Sequence, residues 1–306
     1  MVSKFKLKNL TWVDIESPTT AEVLDLKEEY NIPSIVAEEL NTCTLRSKFD
    51  YYEKYKNCYI VIHFPSKKGS DVSQEEEFDF VISKDLLITT RYQKNNTFEK
   101  ILRKIGDDSF FEKNQYFENA GQLFAYVIKE LYKNTLDDIE TVSDSLKKIE
   151  QDIFSGKQKE SVGSISLANR QFINIKQSLR HHNEILSSFE NIAVDIFGNN
   201  FSHEVTNIIS EHNRVKNTLE IAREILNDLR TSNDSIMTTK ANETIKTLTI
   251  ISFTLLPITL ITGIFGMNTS DSALIIRDDG DFILVLIFIV ILWLIMFIYF
   301  KSKKWL

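Results

Sequence analysis

Two long stretches of this chain, 248–265 and 282–300, carry no charged side chain, whereas charged and apolar positions interleave through everything before them. At about 1.5 Å rise per residue, helices of these lengths reach roughly 27–29 Å and match a hydrocarbon core of about 30 Å. The pattern predicts two C-terminal membrane spans and excludes a fully soluble protein.

Upstream the period changes twice. Residues 1–110 read as a small α/β domain, with a strand at 10–15 (LTWVDI) and a turn at 16–19. Thr19 or Thr20 can cap a helix over 21–30, and Pro33 opens a short helix to Leu40. The segments 58–64, 77–83 and 85–91 have the β-branched and aromatic content of strands. The last two meet at Ser83-Lys84-Asp85, which predicts a hairpin. From about Glu112 the pattern is helical: Val127, Leu131, Leu136, Ile139, Val142, Leu146, Ile149 and Ile153 recur at steps of three to five. Phe154-Ser155-Gly156 interrupts it. A second periodic stretch covers about 165–197 and stops at Gly198-Asn199-Asn200. A third starts near Ser202 and meets neither glycine nor proline before Pro257. Continued into the first apolar span, it makes a helix of more than 60 residues and about 90 Å, which needs partners along its length.

Composition narrows the function classes. Of 306 residues, 43% are hydrophobic and 26% charged, as in folded proteins, and the net charge of -7 leaves no basic stripe for nucleic acid. Two cysteines, Cys43 and Cys58, fit a reducing compartment and read as small buried apolar residues. The first ten residues contain lysines but no apolar run of signal-peptide length, so the N-terminal part is expected to be cytoplasmic. No nucleophile–base pair, phosphate loop or closed metal-ligand spacing stands out, which argues against an enzyme.

Charge also orients the spans. Lys240 and Lys246 precede the first, and Lys301, Lys303 and Lys304 follow the second. The connection 269–281 holds Asp271, Asp278, Asp279 and Asp281 against Arg277 alone. Basic flanks stay inside, so both termini are expected in the cytoplasm of a multi-pass cell-membrane protein. The second span is almost purely Phe, Ile, Leu and Val and suits lipid. On the first, Asn242, Ile245, Thr249, Ser252, Leu256, Thr259 and Gly263 fall on one face. That stripe reads either as helix–helix packing or as the wall of a water-filled path.

The first span closes on Gly266-Met267-Asn268, followed by a short acidic loop, a second span and a lysine-rich end. Here the sequence resembles the CorA family of divalent-cation channels. Leu256-Pro257-Ile258-Thr259, Asn242-Glu243, and Trp12-Val13-Asp14-Ile15 followed by Pro18 extend the likeness over essentially the whole chain. The loop departs from the family at Thr269-Ser270-Asp271-Ser272, where Met-Pro-Glu is common, and Phe265 stands where tyrosine is usual.

The resemblance implies an α+β fold class: a cytoplasmic α/β domain (1–110), a cytoplasmic helical stalk (111–245) and a transmembrane pore domain (246–306, spans about 246–266 and 282–300, extracellular loop 269–281). It implies a funnel-shaped homopentamer, with itself, the lipid bilayer and divalent cations as partners. Gly266, Met267 and Asn268 become the selectivity filter, with Asn268 carbonyls accepting from the waters of hydrated Mg2+ and Met267 packing the loop. Magnesium dehydrates reluctantly, so recognition through its water shell is the economical route. Asn242, Ile245, Leu248, Thr249, Ser252, Leu256, Thr259 and Gly263 line the pore, with Ile245, Leu248 and Leu256 as apolar constrictions and Pro257 as a bending point. Lys246, Lys301, Lys303 and Lys304 read as a basic collar or as ordinary inside anchoring. Influx is driven by the membrane potential, roughly 4.6 kcal/mol for a divalent ion at 100 mV.

Closure by cytoplasmic Mg2+ is part of the same expectation, with its ligands unassigned: Asn207 and Thr231 occupy the corresponding stretch, and Asp85, Asp228 and Asp234 are guesses. Asp137, Asp138, Glu140 and Asp144 read as cation-concentrating acids or as a solvated face. No organic cofactor is implied. Transport of cobalt, nickel or zinc on the same architecture is the alternative, for which His181, His182, His203 and His212 are the soft-ligand candidates; these read better as histidines on soluble faces. A membrane-anchored, non-conducting scaffold is the remaining alternative.

Overall fold

A computed structural model describes residues 2–44, 46–66, 75–106, 117–266 and 279–303. They fall into two compact units, Met1–Arg230 and Thr231–Leu306.

The first unit is built on a six-stranded mixed sheet: β1 (Val2–Lys6), β2 (Thr11–Glu16), β3 (Lys48–Tyr52), β4 (Asn57–Pro65), β5 (Glu75–Ile82) and β6 (Leu86–Arg91). Their order across the sheet is β1-β2-β6-β5-β4-β3, with β2 and β6 parallel and every other pair antiparallel. The expected hairpin is β5–β6. Two strands escaped the sequence pattern, β1 and β3, and both are edges carrying Lys4, Lys6 and Lys48. Charge on an edge strand discourages pairing with other chains and breaks the alternation that betrays a strand.

Both sheet faces are covered, which is why β4 reads CYIVIHF rather than alternating. On one face, Val13, Ile15, Tyr59, Val61, Val81 and Ile88 pack with Val23 and Leu26 of α1 (Thr20–Tyr30) and Val36 of α2 (Ser34–Glu39). Thr19 caps α1 in a reciprocal box: the Glu22 N–H donates to its hydroxyl, and the Thr19 N–H donates to the Glu22 carboxylate. The opposite face is aromatic. Phe78 stacks on Phe98 of α3 (Asn96–Gly106) at 5.5 Å, and Phe80 meets Phe124 of α4 (Ala120–Phe154) edge-on at 5.1 Å.

Gly156 and Gly198, both at positive φ, end helices where the sequence placed breaks. The stretch 165–197 is corrected, being two helices: α5 (Gln158–Ser178) and α6 (His182–Phe197). No glycine or proline lies at Leu179-Arg180-His181. The turn is held instead by His182, whose Nδ1 accepts from the Tyr132 hydroxyl (2.8 Å) and whose Nε2 donates to the His63 carbonyl (2.7 Å). A tertiary anchor of this kind leaves no local signature.

A short 3-10 turn (Asn199–Phe201) leads into α7, which runs uninterrupted from Ser202 to Phe265, 64 residues with Pro257 inside it. It starts in the first unit and continues into the second. The second unit also holds α8 (Asp279–Ser302).

Candidate functional site

The stripe expected to matter lies on the membrane-length part of α7, and its residues stand clear of the rest of the chain. Ile245, Leu248 and Leu256 are 61%, 62% and 65% exposed, while Asn242, Ser252, Thr259 and Gly263 are exposed and Thr249 half-buried. No water solvates backbone or hydroxyl groups inside a hydrocarbon core, so each hydroxyl proton needs a partner. The threonines find one within the helix. Thr249 donates to the Ile245 carbonyl at 2.8 Å, Thr259 to Leu255 at 3.0 Å and Thr262 to Ile258 at 3.0 Å. A hydroxyl whose proton is turned back onto the helix presents only oxygen lone pairs outward. Thr249 and Thr259 are therefore weak acceptors on the stripe of α7, spaced by apolar side chains.

Two glycines near the C-terminal end of α7 differ in cause. A Cβ on Gly266 would come within 3.0 Å of the Thr262 carbonyl oxygen, the same atom that accepts the Gly266 N–H at 2.9 Å. Glycine there avoids a tight contact with the last turn of the helix itself. A Cβ on Gly263 meets nothing within 4 Å, so no contact within the chain demands glycine at that position. Pro257 has no N–H, so the Phe253 carbonyl lacks the usual helix partner one turn below Leu256.

Met267 and Asn268, two of the three expected filter residues, lie outside the described residues, as do Lys304 and loop positions 269–278. Of the expected collar, Lys301 and Lys303 are exposed at the end of α8, and Lys246 is exposed on α7.

The alternative metal ligands fare differently. Among the described residues, no group of three or more His, Cys, Asp or Glu side chains is arranged to hold a metal ion. The reading of the histidines as surface residues is corrected for two of four. His182 is fully buried and His212 nearly so, whereas His203 is exposed and His181 lies near Glu184 at 3.3 Å. Burial pulls the His182 ring down to about 3, against the partly compensating hydrogen bond to the His63 carbonyl. It stays neutral at neutral pH and serves the fold. Cys58 is buried as expected, but Cys43 is exposed, because the α2–β3 connection carries it away from the core. Asp138 is also buried, so a solvated acidic face on α4 is reduced to Asp137, Glu140 and Asp144, the last paired with Lys147 at 2.9 Å. Asp85, Asp228 and Asp234 are exposed.

A buried acidic network on β5 was missed by sequence reasoning. Glu77 accepts from the Thr44 N–H at 2.7 Å and lies 3.2 Å from His63, and Asp79 accepts from the Tyr92 hydroxyl at 2.7 Å and the Tyr59 hydroxyl at 3.2 Å. Burial, then the neighbouring Glu77 charge, pushes the Asp79 carboxyl well above the usual carboxylate range. The available signal was the alternation Glu77-Phe78-Asp79-Phe80, which places two carboxyls on a covered face.

Comparison with known proteins assigns the architecture. Residues 8–303 match the family described as CorA-like Mg2+ transporter protein. The "Cobalt/magnesium transport protein CorA" of Thermotoga maritima is 24% identical over 97% of this chain and 83% of its own length. The "Magnesium transport protein CorA" of Wolinella succinogenes is 22% identical over 97% and 92%. Among solved structures, the CorA magnesium transporter of Methanocaldococcus jannaschii superposes with a TM-score of 0.85 at 18% identity, covering 99% of this chain and 93% of the other.

Proposed function

Since this chain belongs to the CorA-like family of Mg2+ transporters, we propose that it is one subunit of a homopentameric channel through which hydrated Mg2+ enters the cell. The observation that carries this reading is the largely exposed stripe of α7, on which the Thr249 and Thr259 hydroxyls donate back to the helix. Magnesium holds its water shell tightly, and those waters are donors. Oxygen lone pairs presented outward can accept from the waters of a passing hydrated ion. A single helix encloses nothing, so the stripe needs symmetry mates. Five copies around an axis turn it into a wall and give the long α7 lateral partners.

In this reading Gly266, Met267 and Asn268 form the entrance. Gly266 avoids a tight contact with the Thr262 carbonyl at the end of the helix, and beyond it five Asn268 side chains are offered to the ion. Ile245, Leu248 and Leu256 close the path by dewetting, with the gap in the helix ladder at Pro257 as the bending point. The lysines at positions 246, 301, 303 and 304 flank the cytoplasmic mouth, both termini are inside, and the loop 269–281 is outside. The chain divides as 1–110, 111–245 and 246–306, and cytoplasmic Mg2+ favours the closed state.

Flux into proteoliposomes tests it. Purified protein should pass Mg2+ along an imposed inside-negative potential, with cobalt hexammine competing as a mimic of the hydrated ion. Asn268→Ala should lower the initial rate at least 100-fold while pentamers still assemble. Full flux in that variant, or a monomer by mass measurement in lipid, overturns the reading. Preferential flux of Co2+, Ni2+ or Zn2+ with no competition from cobalt hexammine would redirect it to dehydrated-ion transport.

A further inference from the structure

The segment joining α2 to β3 is tied to the sheet through an ion pair. His63 of β4 stands directly opposite Glu77 of β5 and 3.2 Å from its carboxylate, with the two side chains 10% and 3% exposed. Between them they hold both backbone polar groups of Thr44. Its N–H donates to the Glu77 carboxylate at 2.7 Å, and its carbonyl lies 3.2 Å from His63 Nε2. The Thr44 hydroxyl donates to Glu77 at 3.2 Å, and Ser47 Oγ lies 2.7 Å from His63 Nδ1. Of the described residues in 42–47, none is buried. These residues are held by polar bonds and not by burial.

Both ring nitrogens of a charged imidazole donate, and its charge answers that of Glu77. A neutral ring can still pair with Ser47 and Thr44. It leaves the Glu77 carboxylate buried without a countercharge, however, which is a costly state. That carboxylate regains water only where a neighbour gives way, and Thr44 is the least covered residue bonded to it.

The charged and titratable groups facing the ring come from β5, α6 and the segment itself. On β5, Glu75 and Glu77 add negative charge, and Asp79 shares a hydrogen bond with Glu77. On α6, His182 donates to the His63 carbonyl and is itself bonded to Tyr132 of α4. The segment contributes the exposed Arg46 and the Cys43 thiol, pushed up to about 11 by partial burial and the nearby acids. Arg91 and Glu76 border the same cavity of about 200 Å3, but Arg91 answers Asp14 and Glu16, and Glu76 accepts from Ser66 and Asn95. Burial works against the charged ring, yet the hydrogen bond and charge of Glu77 outweigh it and hold His63 above its ordinary 6.5. What the proton contributes is therefore complete below about pH 6.5 and lost as pH rises through the higher folded value.

We propose that the α2–β3 connection is a proton-operated latch: a proton on His63 holds it onto β4 and β5 through Thr44 and Ser47, and loss of that proton releases it. The latch does not depend on the transport reading, because all its groups belong to the first unit.

Amide hydrogen exchange of the full-length protein in nanodiscs tests it, followed from about pH 6 to 8.5 and corrected for the intrinsic pH dependence of exchange. Protection in the segment 42–47, Thr44 above all, should fall at least threefold over this range, while the interior of β5 keeps its own. Glu77→Gln and His63→Gln should each abolish that step. Asp79→Asn, whose amide stands for the protonated carboxyl, should retain it. Protection along β4 and β5 shows which variants are folded; should neither glutamine variant fold, the parent and Asp79→Asn decide. Equal protection of the segment at both ends of the range in the parent overturns the proposal. So does a step that survives in folded His63→Gln or vanishes in folded Asp79→Asn. Because exchange is measured without ion flux, failure of the latch leaves the transport reading untouched, and a chain that does not conduct leaves the latch standing.

Discussion

The two units spend the same kinds of apolar residue in opposite ways. In the first, Trp12, Phe80, Phe98, Phe124 and Phe189 are wholly buried, and their rings contact one another or their neighbours across sheet and helices. In the second, Leu248, Leu256, Leu284 and Ile298 stand more than 60% exposed, and α8 is apolar all round rather than along one side. A helix with no polar face has no preferred inward direction and needs an apolar surrounding. The first unit supplies its own cover, whereas the apolar surface of the second is left for an apolar surrounding such as lipid. Water drives the first together. Within a bilayer that drive is missing, and close packing between helices takes over.

Substitutions can break this contrast. The largest effect is expected in the aromatic layer: Phe124→Ala should destabilise the first unit by about 3–5 kcal/mol, read as faster amide hydrogen exchange along β4 and β5. Next comes a pH effect. The His182 ring is held near 3 by burial, below its ordinary value of 6.5. The unfolded chain then binds a proton that the folded chain refuses, so this residue's contribution is complete above about pH 6.5. It is lost as pH falls toward 3, by up to about 1.4 kcal/mol per pH unit. His182→Gln, which retains a donor and an acceptor, should flatten the acid side of the exchange-derived stability profile; an unchanged slope would remove the histidine as its source.

Smaller still is the contrast between the two glycines of α7. Gly266→Ala must displace the Thr262 carbonyl and should cost roughly 1 kcal/mol in the last helical turn. In exchange measurements the amide of Gly263→Ala should stay as protected as in the parent, since nothing in the chain opposes that methyl group. A flux defect in Gly263→Ala without loss of protection would locate its constraint in the assembly. The smallest effect on the first unit belongs to Leu248→Ala, within about 0.5 kcal/mol, because that side chain is 62% exposed and touches no core. A larger effect would mean that the units are coupled in stability.

Much of this was legible beforehand. The helix-breaking glycines, the hairpin at Ser83-Lys84-Asp85, the unbroken α7 and the two apolar spans all follow from rules that act within a few residues: φ preferences, capping and periodicity. The polar stripe was legible for the same reason, since a helix converts spacing into a face. Only the structure decided the features that join residues far apart. The turn between α5 and α6 is set by His182, Tyr132 and His63, 50 and 119 residues away from its histidine. The same holds for the pairing of β1 and β3 onto the sheet edges, the exposure of Cys43 and the burial of Asp79 beside Glu77. Local sequence states what a segment can become, but the environment of a polar side chain depends on what folds over it. A histidine that looked solvated could therefore be recognised as a core residue only once the sheet and three helices had closed around it.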